Sequence, residues 1–302
     1  MKLEEVTAEI RPRGRWESVD LGCALVRENY GVIIACWFMT VVPIWIVLGT
    51  IGYWFYTNDD LAPALGISSP LYFIFWNSWL LFILWWLKPI YDKVPLYIIS
   101  RSLFGEKVKI GTMLKAWPKL VFKDIFKLLI TRRISASRSL AMPVSELENL
   151  KGKAYKSRVR LLSRNGGDGA SNVTMSSLML EHMMYISCLL FIVMTYAYQI
   201  DMDVLLENTW EYIQVKSHGF AAVIIGFSAL FYVIAITIME PFYVGSGFAL
   251  YVNSRTITEG WDIELAFKRM TERIENMKQG VKNVASLLLA VSYTHLTLPT
   301  IA

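Results

Sequence analysis

Four apolar stretches decide what this chain can fold into. Gly31–Tyr56, Pro70–Leu87, Leu178–Tyr198 and Gly219–Met239 each approach or exceed the roughly 20 residues that an α-helix needs to cross a hydrocarbon layer about 30 Å thick. The clustering matters because the 302-residue chain is 55% hydrophobic and only 18% charged, against about 25% charged in ordinary soluble domains. A merely greasy globular core would not gather its apolar residues into runs of this length. The expected fold is all-α: a polytopic helical membrane protein.

Loop charges set the threading. Arg101–Arg164 holds 16 Lys and Arg against four acids, whereas Thr57–Ser69 has two acids and no base, and Ile200–His218 has four acids and Lys216 alone. Positively charged loops stay in the cytosol. The N-terminus and the large basic segment are therefore expected on the cytosolic side of a bacterial inner membrane, with the two acidic links outside. Tyr53, Trp54 and Tyr56 at one boundary and Trp85–Trp86 at the other suit the two interfaces. Residues 1–30 carry eleven charges ahead of the first apolar run, which does not resemble a cleavable signal.

The basic segment is patterned. Lys115, Lys119, Lys123 and Lys127 recur every four residues, drifting only about 40° per step on a helix of 3.6 residues per turn. Leu114, Trp117, Val121, Ile125 and Leu128 fill another face, with Pro118 starting or kinking the helix. A helix of this kind lies in the headgroup layer, so anionic lipid is the expected partner. Acidic protein is the rival, and no nucleic-acid module is recognisable. Further on, Ser145 is placed to cap a charged cytosolic helix that "NGGDGASN" ends. Upstream, Trp16, Val19, Cys23 and Val26 share one face of a short amphipathic helix.

Two stretches answer each other. Lys88-Pro89-Ile90-Tyr91 and Glu240-Pro241-Phe242-Tyr243 both follow a span running inward, and each leads to Ser-Arg, at Ser100-Arg101 and Ser254-Arg255. An internal duplication accounts for this: two parallel helical hairpins, each followed by a Pro-broken extension. Gly219–Val252 as one straight helix would be about 50 Å long, so Pro241 is expected to break it as Pro89 breaks its counterpart. Small residues in "GSGFA" (Gly245–Ala249) would permit close helix contact.

Charges inside membranes pair or mark a path, so Lys88, Glu240 and Asp92 are the intramembrane polar candidates. Either Lys88 and Glu240 pair, or each reaches its own interface. Glu181, near the start of the third run, could relay protons only with a second buried acid facing it, and the sequence offers Glu240 or Asp92 for that.

The implied division is a cytosolic N-terminal segment (1–30), a first hairpin with extension (31–104), a basic insertion (105–174), a second hairpin with extension (175–255) and a cytosolic helix leading toward a further span (256–290). "VSYTHLTLPT" (Val291–Thr300) reads as the translation of a transposon mosaic end joined to a sequencing adapter. Residues 291–302 are therefore set apart from the fold, and the natural chain is expected to continue differently beyond about Ala290. Cys23, Cys36 and Cys188 have neither metal nor disulfide spacing, and two of them sit in apolar runs. No metal, cofactor or catalytic residue is expected, and no Ser/His/Asp or paired-carboxylate constellation points to an enzyme.

The closing stretch "PFYVGSGFALYVNSRTITEGWDIELAFKRM" carries Tyr251, Arg255, Glu259, Gly260, Asp262 and Glu264. It resembles the exit motif of bacterial membrane domains related to the non-catalytic membrane region of glycerophosphodiester phosphodiesterases. With "RWESVDLGCALVRENYG" and "WWLKPIYDKVPLYIISRSLFGE", the whole chain is similar to a family of proteobacterial polytopic inner-membrane proteins encoded near MoxR-type ATPases and transglutaminase-like proteins. The resemblance implies membrane or cytosolic protein partners and brings no catalytic residue. Two functions follow as expectations: an assembly or partner subunit of an envelope-associated complex, or a transporter or lipid-handling protein with a polar path near Glu240 and Lys88. A closed interface would favour the first, and a polar cavity reaching Glu240 the second.

Overall fold

A computed structural model describes residues 11–57, 69–122, 129–130, 135–199 and 217–296. Among these residues every regular element is helical: α1 (Arg15–Glu28), α2 (Tyr30–Thr57), α3 (Ser69–Trp86), α4 (Lys88–Tyr91), α5 (Lys93–Ser102), α6 (Ile110–Phe122), α7 (Arg138–Leu147), α8 (Gly152–Gln199), α9 (Ser217–Glu259) and α10 (Trp261–Leu296). Three helices are long and apolar enough to cross a membrane, through Tyr30–Trp54 of α2, Gly152–Ile192 of α8 and Phe227–Glu259 of α9. The other expected span falls on α3, whose 18 residues include no charge. These helices leave large apolar side chains on their outer faces, among them Ile46, Trp79, Phe191 and Leu230, as a helix facing lipid must.

Helix α9 is the axis. α8 and α1 run against it, α7 packs onto both α8 and α9, and α2, α3 and α5 complete its surroundings. Two apolar clusters result. One gathers Val26, Ile33, Leu96, Leu140, Phe248 and Tyr251; the other gathers Trp37, Trp45, Tyr91, Tyr232 and Ile236. In the second, Trp37, Trp45 and Tyr91 meet edge to face at 5.8–6.3 Å between ring centres, each contact adding about 0.5–1.5 kcal/mol beyond burial. The chain passes between the clusters at several points, and two of these are Tyr91 to Val94 and Ile236 to Tyr243. Asp92 and Glu240 lie in those two crossings.

Several expectations are corrected. Pro241 does not break its helix: α9 runs unbroken from Ser217 to Glu259. A proline removes one backbone hydrogen bond, and here the flanking turns are held by dense packing, Glu240 and Tyr243–Tyr251 being buried apart from Phe242. Pro89 does stand at a break, since α3 ends at Trp86 and Pro89 lies in the first turn of the four-residue α4. Lys88 and Glu240 therefore sit in unlike local structures, one opening a short helix and the other inside a long one.

The glycine-rich stretch "NGGDGASN" likewise fails to stop α8, which continues through it for 48 residues. A helical glycine costs about 1 kcal/mol against alanine, but here it permits contact. A Cβ at Gly166 would strike Ser254 Oγ and Leu140, and one at Gly169 would crowd Leu250 at 3.2 Å. Tertiary approach of α8 to α7 and α9 overrides local propensity.

Helix α1 buries Ser18, Gly22, Leu25 and Val26, with Val19 packed against the core and Cys23 half-buried; of the expected face Trp16 alone is exposed. The closest approach is at Gly22, whose backbone meets that of Gly245 and Ser246 where no side chain would fit. Ser145 caps no helix; it is buried within α7 and donates to the Met142 carbonyl at 2.9 Å. In α6, Pro118 lies inside the helix, Met113 and Val121 are buried, and Lys115 and Lys119 are exposed. Lys123 and Lys127, with Ile125 and Leu128, lie outside the described residues.

Candidate functional site

Pro89 has no N–H to continue α3, so the chain turns at Leu87 and carries Lys88 into the protein. Lys88 is 4% exposed, and an ammonium so buried must find anions. It finds two. Lys88 Nζ donates to Glu181 Oε2 of α8 and lies 2.7 Å from Glu240 Oε2 of α9. Glu181 faces inward from a helix whose neighbouring Leu180 and Met183 face out, and it is 1% exposed.

A second cation completes the group. Arg138, the first residue of α7, donates through Nη2 to Asp92 Oδ2 at 3.2 Å and stands 3.6 Å from Glu240 Oε1. Its guanidinium lies 5.2 Å from the centre of the Tyr243 ring, within cation–π range. Lys88, Asp92, Arg138, Glu181 and Glu240 are all buried, so three acids face two bases in one space. Hydrogen bonding inside the cluster is incomplete: Asp92 Oδ1, Glu181 Oε1, Glu240 Oε1 and Arg138 Nε have no partner among the described residues. Burial first, and then the charge of Glu240, push the Asp92 carboxyl well above the usual carboxylate range.

The cluster is not sealed. A cavity of about 260 Å³ reaches Lys88, Arg138, Glu181, Glu240 and Tyr243. The hydroxyls of Ser135, Thr174 and Ser177 and the apolar faces of Trp85 and Leu178 form the rest of its wall. It combines apolar surface with a few convergent polar groups, which is the usual composition of a small-ligand site. Asp92 is not on the wall.

Two further ion-pair groups lie elsewhere. Lys93 Nζ meets Glu146 at 3.2 Å and the Leu120 carbonyl at 2.6 Å, tying α5 to α7 and α6. At the exit motif, Arg158 bonds Glu148 at 2.7 Å and also Glu259, while Arg255 bonds Glu259 at 2.7 Å and stacks 4.3 Å over Trp261. Tyr251 donates to Glu148 at 2.8 Å. Gly260 takes a positive φ of 65°, which ends α9, and Asp262 and Glu264 then fall in the first turn of α10, where the helix dipole favours acids.

The structure thus brings Lys88, Asp92 and Glu240 together, and gathers the exit-motif residues into a separate bracket of charges. Arg138 escaped sequence reasoning. It is one of 16 cations in Arg101–Arg164, and nothing in its spacing separates it from those that stay in water. Glu181, marked in the sequence as an acid needing a second buried acid beside it, shares Lys88 with Glu240. Among the described residues no group of His, Cys, Asp and Glu is arranged to hold a metal ion. Comparison with family models, with curated proteins and with solved structures finds no match to this chain.

Proposed function

We propose that this chain is an inner-membrane protein, N-terminus in the cytosol, that transports a small polar ligand or handles a lipid headgroup at the charged cavity. The observation that supports this reading best is the cavity itself. A structural ion cluster would gain from being packed shut, because charges removed from water regain little when left incompletely paired. Here space remains open beside Lys88, Glu181 and Glu240, although Glu181 Oε1 and Glu240 Oε1 are buried without a hydrogen-bond partner among the described residues. Orientation rests on the excess of cations in Arg101–Arg164.

Cysteine accessibility tests it. Ser135→Cys and Ser177→Cys, placed in a background lacking Cys23, Cys36 and Cys188, are exposed to a membrane-impermeant thiol reagent in vesicles of both orientations. Transport predicts labelling from both sides, slowed by Lys88→Met. A headgroup site predicts labelling from one side, slowed by anionic lipid. Failure to label from either side contradicts both.

One observation favours the other role, that of a partner subunit. From Ile263 through Phe267, Met270, Ile274, Met277 and Val281 to Val284, apolar residues of α10 recur at alternating steps of four and three, and all are exposed. That is the spacing of a helix–helix seam rather than of a broad lipid-facing arc. Cross-linking in native membranes checks it: Ile274→Glu removes the cross-linked species if the seam is occupied, and leaves it unchanged if not.

A further inference from the structure

We propose that Asp92 and Glu240 hold one proton between them at neutral pH, which makes the charge cluster a proton-binding site within the helical bundle. The inference goes beyond the transport or headgroup reading and does not need the cavity to carry anything.

Charge count is the first support. With every group ionised, Asp92, Glu181 and Glu240 outnumber Lys88 and Arg138 by one, and all five are buried. An uncompensated charge in such a place is strongly disfavoured and is usually neutralised by a proton.

Hydrogen bonding supplies the second support and locates the proton. Asp92 Oδ2 accepts from Arg138 at 3.2 Å and Glu240 Oε2 faces Lys88 at 2.7 Å. The other oxygen of each, Asp92 Oδ1 and Glu240 Oε1, accepts nothing. Arg138 stands 3.6 Å from Glu240 Oε1, beyond hydrogen-bond length. Both carboxyls face the same nitrogen, Arg138 Nη2, Asp92 Oδ2 at 3.2 Å and Glu240 Oε1 at 3.6 Å, which places them side by side. One proton on Asp92 lets its hydroxyl donate to Glu240, and both idle oxygens are then used.

Asp92 is the better holder. Glu240 faces both cations, whereas Asp92 bonds Arg138 alone. The charged and titratable groups around Asp92 are Lys88 and Tyr91 of α4, Lys93 of α5 with its partner Glu146 of α7, Arg138 of α7, Glu181 of α8, and Glu240 and Tyr243 of α9. Lys93 is occupied by Glu146 and the Leu120 carbonyl, so it does not replace the proton. Exchange with solvent runs through Glu240, which reaches the cavity where Asp92 does not. The proton comes from water there and returns to it, with no other bond made or broken.

Infrared spectroscopy of the full chain in liposomes tests this. At neutral pH the wild type should show a protonated-carboxyl stretch that shifts in D2O. Asp92→Asn, which supplies an N–H donor in place of the hydroxyl, should abolish it, while Glu148→Gln, outside the cluster in the exit bracket, should leave it. A wild type without the band, or a band that survives Asp92→Asn, overturns the proposal. Far-ultraviolet dichroism and gel filtration of each variant show whether loss of the band reflects loss of the fold. The cysteine labelling above can fail while the band is present, so the two readings fail separately.

Discussion

Replacing Lys88 by methionine leaves Glu181 and Glu240, each side chain 1% exposed, without their shared cation. Removing one partner of a buried ion pair costs about 3–5 kcal/mol. Protonation offers a way out, because a stranded glutamate can become neutral. At pH 7 that costs about 3.7 kcal/mol per carboxyl, from an ordinary glutamate value near 4.3 and about 1.36 kcal/mol per pH unit. The two figures bracket the expected loss at about 3–4 kcal/mol. At roughly 2–4 °C per kcal/mol for a chain of this general size, the midpoint falls by about 10 °C. The assay is a thermal melt in mild detergent, read by the fluorescence of the 11 tryptophans. Two controls give the result its meaning. Lys88→Met combined with Glu240→Gln should recover at least about 1 kcal/mol of the loss, because residues in one ion-pair network couple by roughly 0.5–3 kcal/mol. The deficit of the single variant should also shrink on acidification, since the stranded carboxyls then take protons at less cost. A loss of a degree or two, or a double variant no better than the single, would refute the reasoning: Lys88 would then reach water rather than the cluster.

Other outcomes follow from the same geometry. Asp92 is raised in the folded protein, so between its unfolded value near 3.9 and its higher folded value the folded state binds more protons. Stability is therefore present at low pH and lost as pH rises through the folded value, by up to about 1.4 kcal/mol per unit; Asp92→Asn should flatten that part of the melting-against-pH curve, and an unchanged slope counts against the assignment. Gly22→Leu drives a side chain into the backbone of Gly245 and Ser246, and should cost about 1–3 kcal/mol or more with faster proteolysis ahead of Tyr30; a variant that melts and digests like wild type would mean that α1 does not dock on α9. Glu259→Ala removes a carboxylate that is 24% exposed and should cost only about 1 kcal/mol or less. A loss as large as that of Lys88→Met would show the exit bracket to be as dry as the central cluster.

The sequence and the structure part company in instructive places. Long apolar runs specify membrane-length helices because bilayer thickness fixes their length, and α2, α8 and α9 carry three of them. Glycine and proline were poorer guides. The Gly166–Gly169 stretch and Pro241 weaken an isolated helix, yet both lie where α7, α8 and α9 close on one another, and contacts across the interface decide the outcome. Local propensity cannot register that.

The site was legible by contrast and illegible by company. Lys88, Glu181 and Glu240 stand out because charge is rare in apolar runs. Arg138 is hidden among cations that differ from it only in what folds over them. The sequence pattern ends α8 too early because Gly166 and Gly169 look like weak points when they are points of contact.

Solid-state NMR on the full chain in liposomes tests the central arrangement most directly, through dipolar recoupling between the Lys88 15Nζ and the side-chain 13Cδ of glutamate. With Nζ 2.7 Å from Glu240 Oε2 and bonded to Glu181 as well, the lysine signal should dephase strongly, and Glu181→Gln and Glu240→Gln should each weaken the carboxylate contribution. A Lys88 ammonium that shows no glutamate contact, and exchanges freely with water, contradicts the account.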